Sequence, residues 1–542
     1  MLNFLSPKSF LFLAVSLLIT VPTRAQNIYT TLNQQENLLL DKAEIKQGII
    51  SHTSLKPFSV KELMDSTSVN DSSELVQRYK LFYNKEKTRH QRFLYANNQD
   101  FYSVSTKDFK LRINPIIYFS GGKNLIDKET IFTNTRGIRL SGTIDNKVSF
   151  HTAFTDNQAR LPRYVDKQIA LHQAIPYQNL WKKFKLTGYD YFNAQGYINF
   201  HVIKHIDLTL GYGTLFLGDG NRSLLLSGYA GNMPYMRINT KIWKINYSNI
   251  YAKMTASFPT SGGVPIDGLY PTKYLTAHYL SIDILKNLNI GLYEAVVLSR
   301  TDSTGIDYGY DLAYLNPIIF YRSVEQNLGS PDNAILGLNM KWNVAKTLSF
   351  YGQFVLDEFK LDEIKSFKGW WANKYGGQLG AKYIDAFGVK NLHLQSEINI
   401  VRPYTYSHGR SVSSYTHFQK PLAHPLGANF AEAIGIIKYA PTHKLFFTTK
   451  ATFIKTGRDG KNQNWGSNPF LNNQSKQQVY GNRIGQGIAT KIALIKFSAS
   501  YQVFPNIFLD LDILKRKETS QASTSYIGFG IRANTSRVQH NF

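Results

Sequence analysis

The stretch GYINFHVIKHIDLTLGYG, residues 196–213, decides how the rest of the chain is read. Ile198, Phe200 and Val202 alternate with Asn199 and His201. After a short turn at Lys204-His205, Ile206, Leu208, Leu210 and Tyr212 alternate with Asp207, Thr209 and Gly211. Successive strand residues point to opposite faces, so this period of two makes a β-hairpin with one apolar and one polar side.

The pattern recurs along the chain. MRINTKIWKINYSNIYAKM (236–254) alternates through Met236, Ile238 and Ile242, then changes phase to Ile245, Tyr247 and Tyr251. In ILGLNMKWNVAKTLSFYGQFVLDEF (335–359), Leu336, Leu338, Met340 and Trp342 stand against Leu348, Phe350, Phe354 and Leu356 across a turn at Asn343 to Lys346. Further tight turns fall at Lys286-Asn287, at Ala440 to His443 and at Phe504 to Asn506. Longer, polar, Gly-rich connections fall at 218–234, 257–273, 299–333 and 402–430. Short turns on one side and long loops on the other are the layout of outer-membrane barrels. A soluble β-sandwich also alternates, but it does not explain 34 Tyr and 34 Phe in a chain of mean hydropathy −0.27. When only alternate residues face lipid, a membrane protein stays polar on average and carries aromatic girdles. The expected fold is all-β, a transmembrane antiparallel barrel running from residue 108 to 542, with room for about 16 to 18 strands, 18 favoured. Phe542 would end it on an aromatic.

The first 25 residues read as an export signal, with Lys8, an apolar core from Phe10 to Val21, and the small-residue site Thr23-Arg24-Ala25. Beyond it no run approaches the roughly 18 apolar residues of a membrane helix. Cysteine is absent, which excludes acylation on Cys, disulfides and thiolate chemistry. Residues 26–107 form a separate, partly helical periplasmic segment. Asp71 and Glu74 make a capping-box-like start, Leu75, Tyr79 and Phe82 follow at helical spacing, and KEKTRHQR (85–92) is basic. This segment is either a flexible lead-in or a small helical cap docked at the periplasmic mouth.

The formal charge of +25 favours anionic partners. For an exported barrel these are lipopolysaccharide phosphates and acidic polysaccharides rather than nucleic acid. No chemistry stands out. The chain has no G-x-S-x-G elbow and no H-E-x-x-H pair. Asp357-Glu358, being adjacent on a strand, point to opposite faces unless a bulge intervenes. GDGNRS (218–223) lacks the strand-to-helix context of a phosphate loop, and Asp219 and Asp332 are read as turn formers. In HGRSVSSYTHFQKPLAHPLGANF (408–430), His408, His417 and His424 lie nine and seven residues apart beside Tyr404, Tyr406, Tyr415 and Phe418. That spacing suits a ligand-facing loop better than a metal site. No cofactor, no metal and no enzymatic activity are expected.

Several blocks resemble a known family. They are TRGIRLSGTIDNKVSFHTAFTDNQA (135–159), FLGDGNRSLLLSGYAGNMPYMRINTKIW (216–243), YLNPIIFYRSVEQNLGSPDNAILGLNMKW (314–342), GQFVLDEF (352–359) and YTHFQKPLAHPLGANF (415–430). In order and spacing they are similar to the Bacteroidota branch of the Wzi capsule-assembly family, whose members are often labelled RemB-like gliding-motility proteins. The resemblance implies an 18-stranded outer-membrane barrel with a periplasmic helical bundle. It also implies a surface lectin that holds capsular polysaccharide, with a contribution to surface motility. Motility or secretion proteins are then further partners, and a porin or uptake channel or a scaffold role is the alternative function. Sugar rings stack on aromatic faces, while hydroxyls and carboxylates take hydrogen bonds from Arg, Asn and His. The candidate polysaccharide-binding residues are Arg222, Tyr229, Arg322, Trp370, Trp371, Tyr404, Tyr406, His417 and His424.

Overall fold

A computed structural model describes residues 35–58, 89–93, 100–145, 147–256, 260–261, 264–265, 270–299, 309–319, 332–504, 506–537 and 540. The expected signal segment, the helix expected near Asp71 to Phe82, and Phe542 lie outside these residues.

The quoted hairpin is β4 and β5 of a closed sheet. In chain order the strands are β1 (Phe109–Asn124), β2 (Thr130–Ile144), β3 (Val148–Arg160), β4 (Gly188–Ile203), β5 (Ile206–Gly213) and β6 (Met233–Ile242). Then come β7 (Ile245–Thr255), β8 (Thr272–Leu285), β9 (Leu288–Leu298), β10 (Asn333–Val344), β11 (Leu348–Glu358) and β12 (Lys374–Ile384). The last are β13 (Leu392–Val401), β14 (Phe430–Tyr439), β15 (Leu445–Arg458), β16 (Ile488–Phe504), β17 (Ile507–Glu518) and β18 (Thr524–Ala533). Each pairs antiparallel with its neighbour in sequence. β18 returns to β1 from Tyr526↔Asn124 to Ala533↔Ile117, closing a barrel of 18 strands.

Register follows the alternation. Ile198 faces Leu210 and Phe200 faces Leu208, and Leu336, Leu338 and Trp342 face Leu356, Phe354 and Phe350. These side chains point outward, where Leu210, Leu338, Trp342, Phe350, Phe354, Leu379, Ile398 and Phe453 remain exposed. The other face is polar and buried. Asn199 donates to Thr209 at 2.9 Å, and His201 meets Asp207 at 2.7 Å. Asn339, Gln353, Gln378, Glu397, Asn399 and Glu432 line the lumen at 5% exposure or less. An apolar outside around a polar inside is the reverse of a soluble protein and is what a lipid surround requires.

The turns between β2 and β3, β4 and β5, and every later even–odd pair are short, and the chain enters β1 and leaves β18 on that side. The opposite rim carries the longer connections. At the turn end β1 outruns β18. Its residues 110–113 pair instead with Tyr102–Ser105, which pairs in turn with Arg89–Phe93. Pro115, which has no N–H to give a ladder, sits between the two partners.

Helix α1 (Gln35–Gln47) closes the turn-end mouth. Lys42 reaches Asp385 at 2.9 Å and Asn391 at 2.8 Å, Lys46 reaches Asp385 at 2.7 Å, and Glu44 meets the lumenal Lys341 at 2.5 Å. The chain then climbs the lumen. Asn343 donates to the Ile49 carbonyl at 2.8 Å, His52 contacts Ser281 at 2.8 Å, and Leu55 pairs with Leu217. The described N-terminal stretch is therefore a docked cap.

The connection after β9 departs from a free loop. Its described part, 309–319, lies along the outer wall over β7 to β9. Tyr251 donates to the Leu315 carbonyl at 3.2 Å, Tyr247 donates to that of Pro317, and Tyr314 packs with Val296 and Leu298. Outward-pointing Asn249, His278 and Glu294, which break the apolar alternation, are buried beneath it.

The outward position Leu379, near the middle of β12, gives a direct check of the lipid-facing assignment. Leu379→Arg should cost about 2–4 kcal/mol of folding free energy, as for Arg at a bilayer midplane. Urea-titrated folding into vesicles measures it; a cost near zero would remove β12 from the bilayer.

Candidate functional site

The connection after β3 turns inward and packs Tyr164, Val165 and Ile169 with the lumenal Leu494 and Leu514, and two more connections turn inward and interlock. The first of these two, after β5, carries Leu215, Leu217, Leu224, Leu225 and Leu226, all fully buried with Ala230 and Met233. Its GDGNRS turn holds an anion after all, but the anion belongs to the barrel wall. The backbone N–H groups of Asn221 and Arg222 donate to Glu397 at 2.6 and 3.1 Å. A Cβ on Gly220 would run into Glu397 and lie 2.9 Å from Tyr351, so only glycine lets the backbone approach this carboxylate. Around the turn, Gln353 accepts from Leu224 N at 2.8 Å and donates to the Leu217 carbonyl at 2.9 Å. Gln378 donates to the Arg222 carbonyl at 3.1 Å. Asp219 does more than shape a turn: Ser54 donates to it at 2.6 Å and Lys341 lies 3.4 Å away, tying the cap to the plug. Asp332 accepts from Tyr314 at 2.6 Å, at the foot of the outer strap.

The second of these two, after β13, is the histidine loop. It meets the first where Ser227 N donates to the Leu422 carbonyl at 2.7 Å and Tyr406 donates to that of Leu224 at 2.7 Å. Each histidine accepts a backbone N–H at Nδ1: His408 from Arg410 at 3.1 Å, His417 from Thr255 at 3.0 Å, and His424 from Leu426 at 3.2 Å. An accepting Nδ1 leaves the proton on Nε2. That of His417 is given to the Asn232 carbonyl at 3.1 Å and that of His424 to Glu432 at 2.8 Å. Among the described residues no three His, Asp or Glu side chains converge as a metal set.

The nine candidate residues divide accordingly. Arg222, Tyr229, Tyr404, Tyr406, His417 and His424 are each 4% exposed or less and take protein partners, so in this arrangement none offers a face to a polymer. Arg222 is clamped on Glu432 at 3.0 and 3.3 Å. Tyr229 packs edge-on against Tyr177, and Tyr404 donates to the Asn464 carbonyl at 2.9 Å. The reason is the inward turn of both connections: length and Gly content mark a loop but not the side of the wall on which it lies. The acidic pair also separates, Asp357 accepting from Tyr406 N at 2.7 Å and Glu358 pairing with Lys374 at 3.2 Å. Arg322 lies outside the described residues.

Trp370 and Trp371 are different. They are partly exposed at the loop end, where the connections after β11, β13 and β15 are laced together. Trp371 N donates to the Val479 carbonyl at 2.9 Å, Gly481 N to that of Lys368 at 2.8 Å, and Arg402 to that of Trp370 at 3.2 Å. Lys476 stands 4.3 Å over the Trp371 ring, Trp370 meets Trp371 at 6.3 Å, and Tyr480 is 47% exposed nearby. Sequence reading passed over the connection that supplies Lys476 and Tyr480. Its signal was the Asn- and Gln-rich run WGSNPFLNNQSKQQVYGN (465–482), which has the residue types that bond sugar hydroxyls.

No protein-family model matches the sequence, and no curated protein matches it at the level of sequence. Among solved structures the chain is similar to Wzi of Escherichia coli, with 13% identity and a TM-score of 0.56, covering 95% of this chain and 100% of that one. That protein is described as an outer-membrane protein involved in group 1 capsule assembly and a carbohydrate-binding β-barrel. OprD of Pseudomonas aeruginosa matches at 12% identity and a TM-score of 0.41, over 79% of this chain and 94% of that one. The likeness to Wzi makes the fold that of a Wzi-like outer-membrane barrel.

The histidines give the plug a pH dependence of known sign. Burial pushes the His417 imidazole down to about 3; the Asn232 carbonyl opposes this, and Lys420 and Lys273 add to it. Burial also lowers His424, against the pull of Glu432. A depressed folded value means stability that is full above the ordinary imidazole range near 6.5 and is lost as pH falls. Docking of 402–429 should weaken on acidification from pH 6.5 toward 4. His417→Gln should reduce the slope by about one proton, or tenfold per pH unit. Amide exchange across 415–422, corrected for intrinsic rates, reads it; an unchanged slope refutes the assignment.

Proposed function

We propose that this chain is an outer-membrane barrel that holds surface polysaccharide at its loop end and so contributes to capsule assembly or gliding motility. The observation that carries the reading is the filled lumen. A barrel of this strand number has an interior wide enough for an aqueous channel. Here both the GDGNRS and histidine connections occupy it, largely buried and bonded to the wall. Recognition is then left to the rim, where Trp370, Trp371, Tyr480 and Lys476 put aromatic faces beside a cation. An acidic glycan would stack a ring on the indoles and place a carboxylate near Lys476. The likeness to a barrel described as carbohydrate-binding supports the same reading, and the resemblance to RemB-like proteins supports the motility role. The role is one of binding, not catalysis. The apolar outer band supports a place in the outer membrane. A channel remains the second reading, favoured only by the strand number.

Binding to the organism's own capsular polysaccharide, immobilised on a sensor surface, tests this together with planar-bilayer recording. Wild type should bind, Trp371→Ala should bind about tenfold more weakly through loss of stacking, and Lys476→Gln should lose the salt-sensitive part. No steady conductance should appear. Steady porin-like current with no glycan binding would replace this reading with the channel.

A further inference from the structure

One charged patch belongs to neither the lumen nor the rim. It lies on the outward face of β15, β16 and β17, toward the loop end. Lys455 stands directly opposite Lys491 in the ladder. On the next pair Lys517 is opposite Ala493 and Lys515 opposite Ile495, which makes Lys517 a diagonal neighbour of Lys491. All four lysines are exposed, while the alternating Ile454, Ile492, Leu514 and Arg516 are buried on the lumenal side. Among the described residues no carboxylate lies within ion-pair reach of the four. The near acidic residue, Glu518, faces inward to Arg516 and Arg458, each at 2.7 Å.

Like charges directly opposite each other weaken a ladder, so an anion from outside would relieve this arrangement. Its height says which kind. Beneath the lysines the outward residues are apolar: Phe453, Ile495, Ile513 and Leu509 are all exposed. Outward positions from Ala493 to Val503 cover about 25 Å of height at ordinary strand rise and tilt, the thickness of the lipid-facing band. Lys491 is the next outward position above it, Lys517 stands level with its top at Ala493, and Lys515, opposite Ile495, reaches up from its upper edge. The Lys455 stem leads away from the apolar band toward Gly485, as a snorkelling lysine does. The site therefore sits at headgroup level, at the end away from the short turns. Three strands at roughly 4.8 Å spacing spread the ammonium groups over about 10 Å, more than one phosphate needs and suited to a headgroup with two.

We propose that Lys455, Lys491, Lys515 and Lys517 form a binding site for the bis-phosphorylated headgroup of lipopolysaccharide. The site is separate from the rim and does not depend on the polysaccharide reading.

The test uses the full chain in lipopolysaccharide-free detergent, titrated with bis-phosphoryl lipid A, monophosphoryl lipid A and phosphatidylglycerol. Wild type should bind the bis-phosphoryl form at least tenfold more tightly than phosphatidylglycerol, with affinity falling steeply in salt. The quadruple Lys455→Gln/Lys491→Gln/Lys515→Gln/Lys517→Gln variant should lose at least tenfold, since each interfacial lysine contributes severalfold. The four corresponding Lys→Arg changes should restore binding. Because the Gln changes relieve repulsion, that variant should melt no lower than wild type without lipid. Only wild type should rise in Tm on adding bis-phosphoryl lipid A. Equal lipid A affinity in wild type and variant overturns the site; equal wild-type affinity for phosphatidylglycerol overturns the assignment to lipopolysaccharide.

Discussion

In hydrocarbon an unpaired backbone N–H or C=O costs several kcal/mol, and a sheet avoids that cost only by having no edge. The Tyr526↔Asn124 to Ala533↔Ile117 ladder, which joins β18 to β1, meets this demand, and much else follows from it. Closure at 18 strands sets a wide lumen, and a wide lumen lined by Glu397, Glu432, Lys341 and Arg-facing polar groups must hold either water or protein. The chain supplies protein from both ends. The cap α1 and the strand at Leu55 come up from the turn end, and the two interlocked connections after β5 and β13 come down from the loop end. They meet at Asp219, which joins Ser54 of the cap to the wall through Lys341.

The plug is fastened by charge buried in pairs. Such pairs are weak evidence of net stability, because desolvation offsets attraction; removing one partner, however, leaves a buried charge at a cost of about 3–5 kcal/mol. Glu432 shows how this yields specificity. It takes Arg222 from the first connection and His424 from the second, with Asn399 of its own wall at 3.1 Å. Neither connection could slide by a residue without stranding that carboxylate, so one group fixes the register of three segments.

Much of the fold was legible because period-two alternation is a direct image of a wall with lipid on one side. Ile198, Phe200, Leu208 and Leu210 report it without any tertiary knowledge, and the short turns report chain reversal. The destination of the long connections was not legible. Arg222 and Trp371 look alike as polar-loop residues, yet one is clamped on Glu432 and the other lies partly open beside Lys476. The difference rests on partners 210 and 105 positions away, and local composition carries no information on such distances. The exceptions to alternation were the better clue. Asn249, His278 and Glu294 point outward where lipid would be costly, and the segment 309–319 covers them.

The net charge of +25 is divided by the wall. Inside, many cations are matched: Arg532 and Arg537 hold Asp510 at 2.7 and 2.9 Å, Arg537 holds Asp512 at 3.0 Å, and Lys341 and Arg222 hold Glu44 and Glu432, while Lys273 and Lys420 are held by backbone carbonyls. A lumen packed with protein cannot carry a large excess of one sign at low dielectric, so the acidic residues are drawn there. The surplus falls to surfaces that water or headgroups can screen, namely the rim around Lys476 and the outer face at Lys455 and Lys491. The positive exterior thus follows from filling the barrel. A chain that spends its carboxylates on holding its own plug is left with a cationic outside, and anionic glycans and phosphates are the partners that such an outside selects.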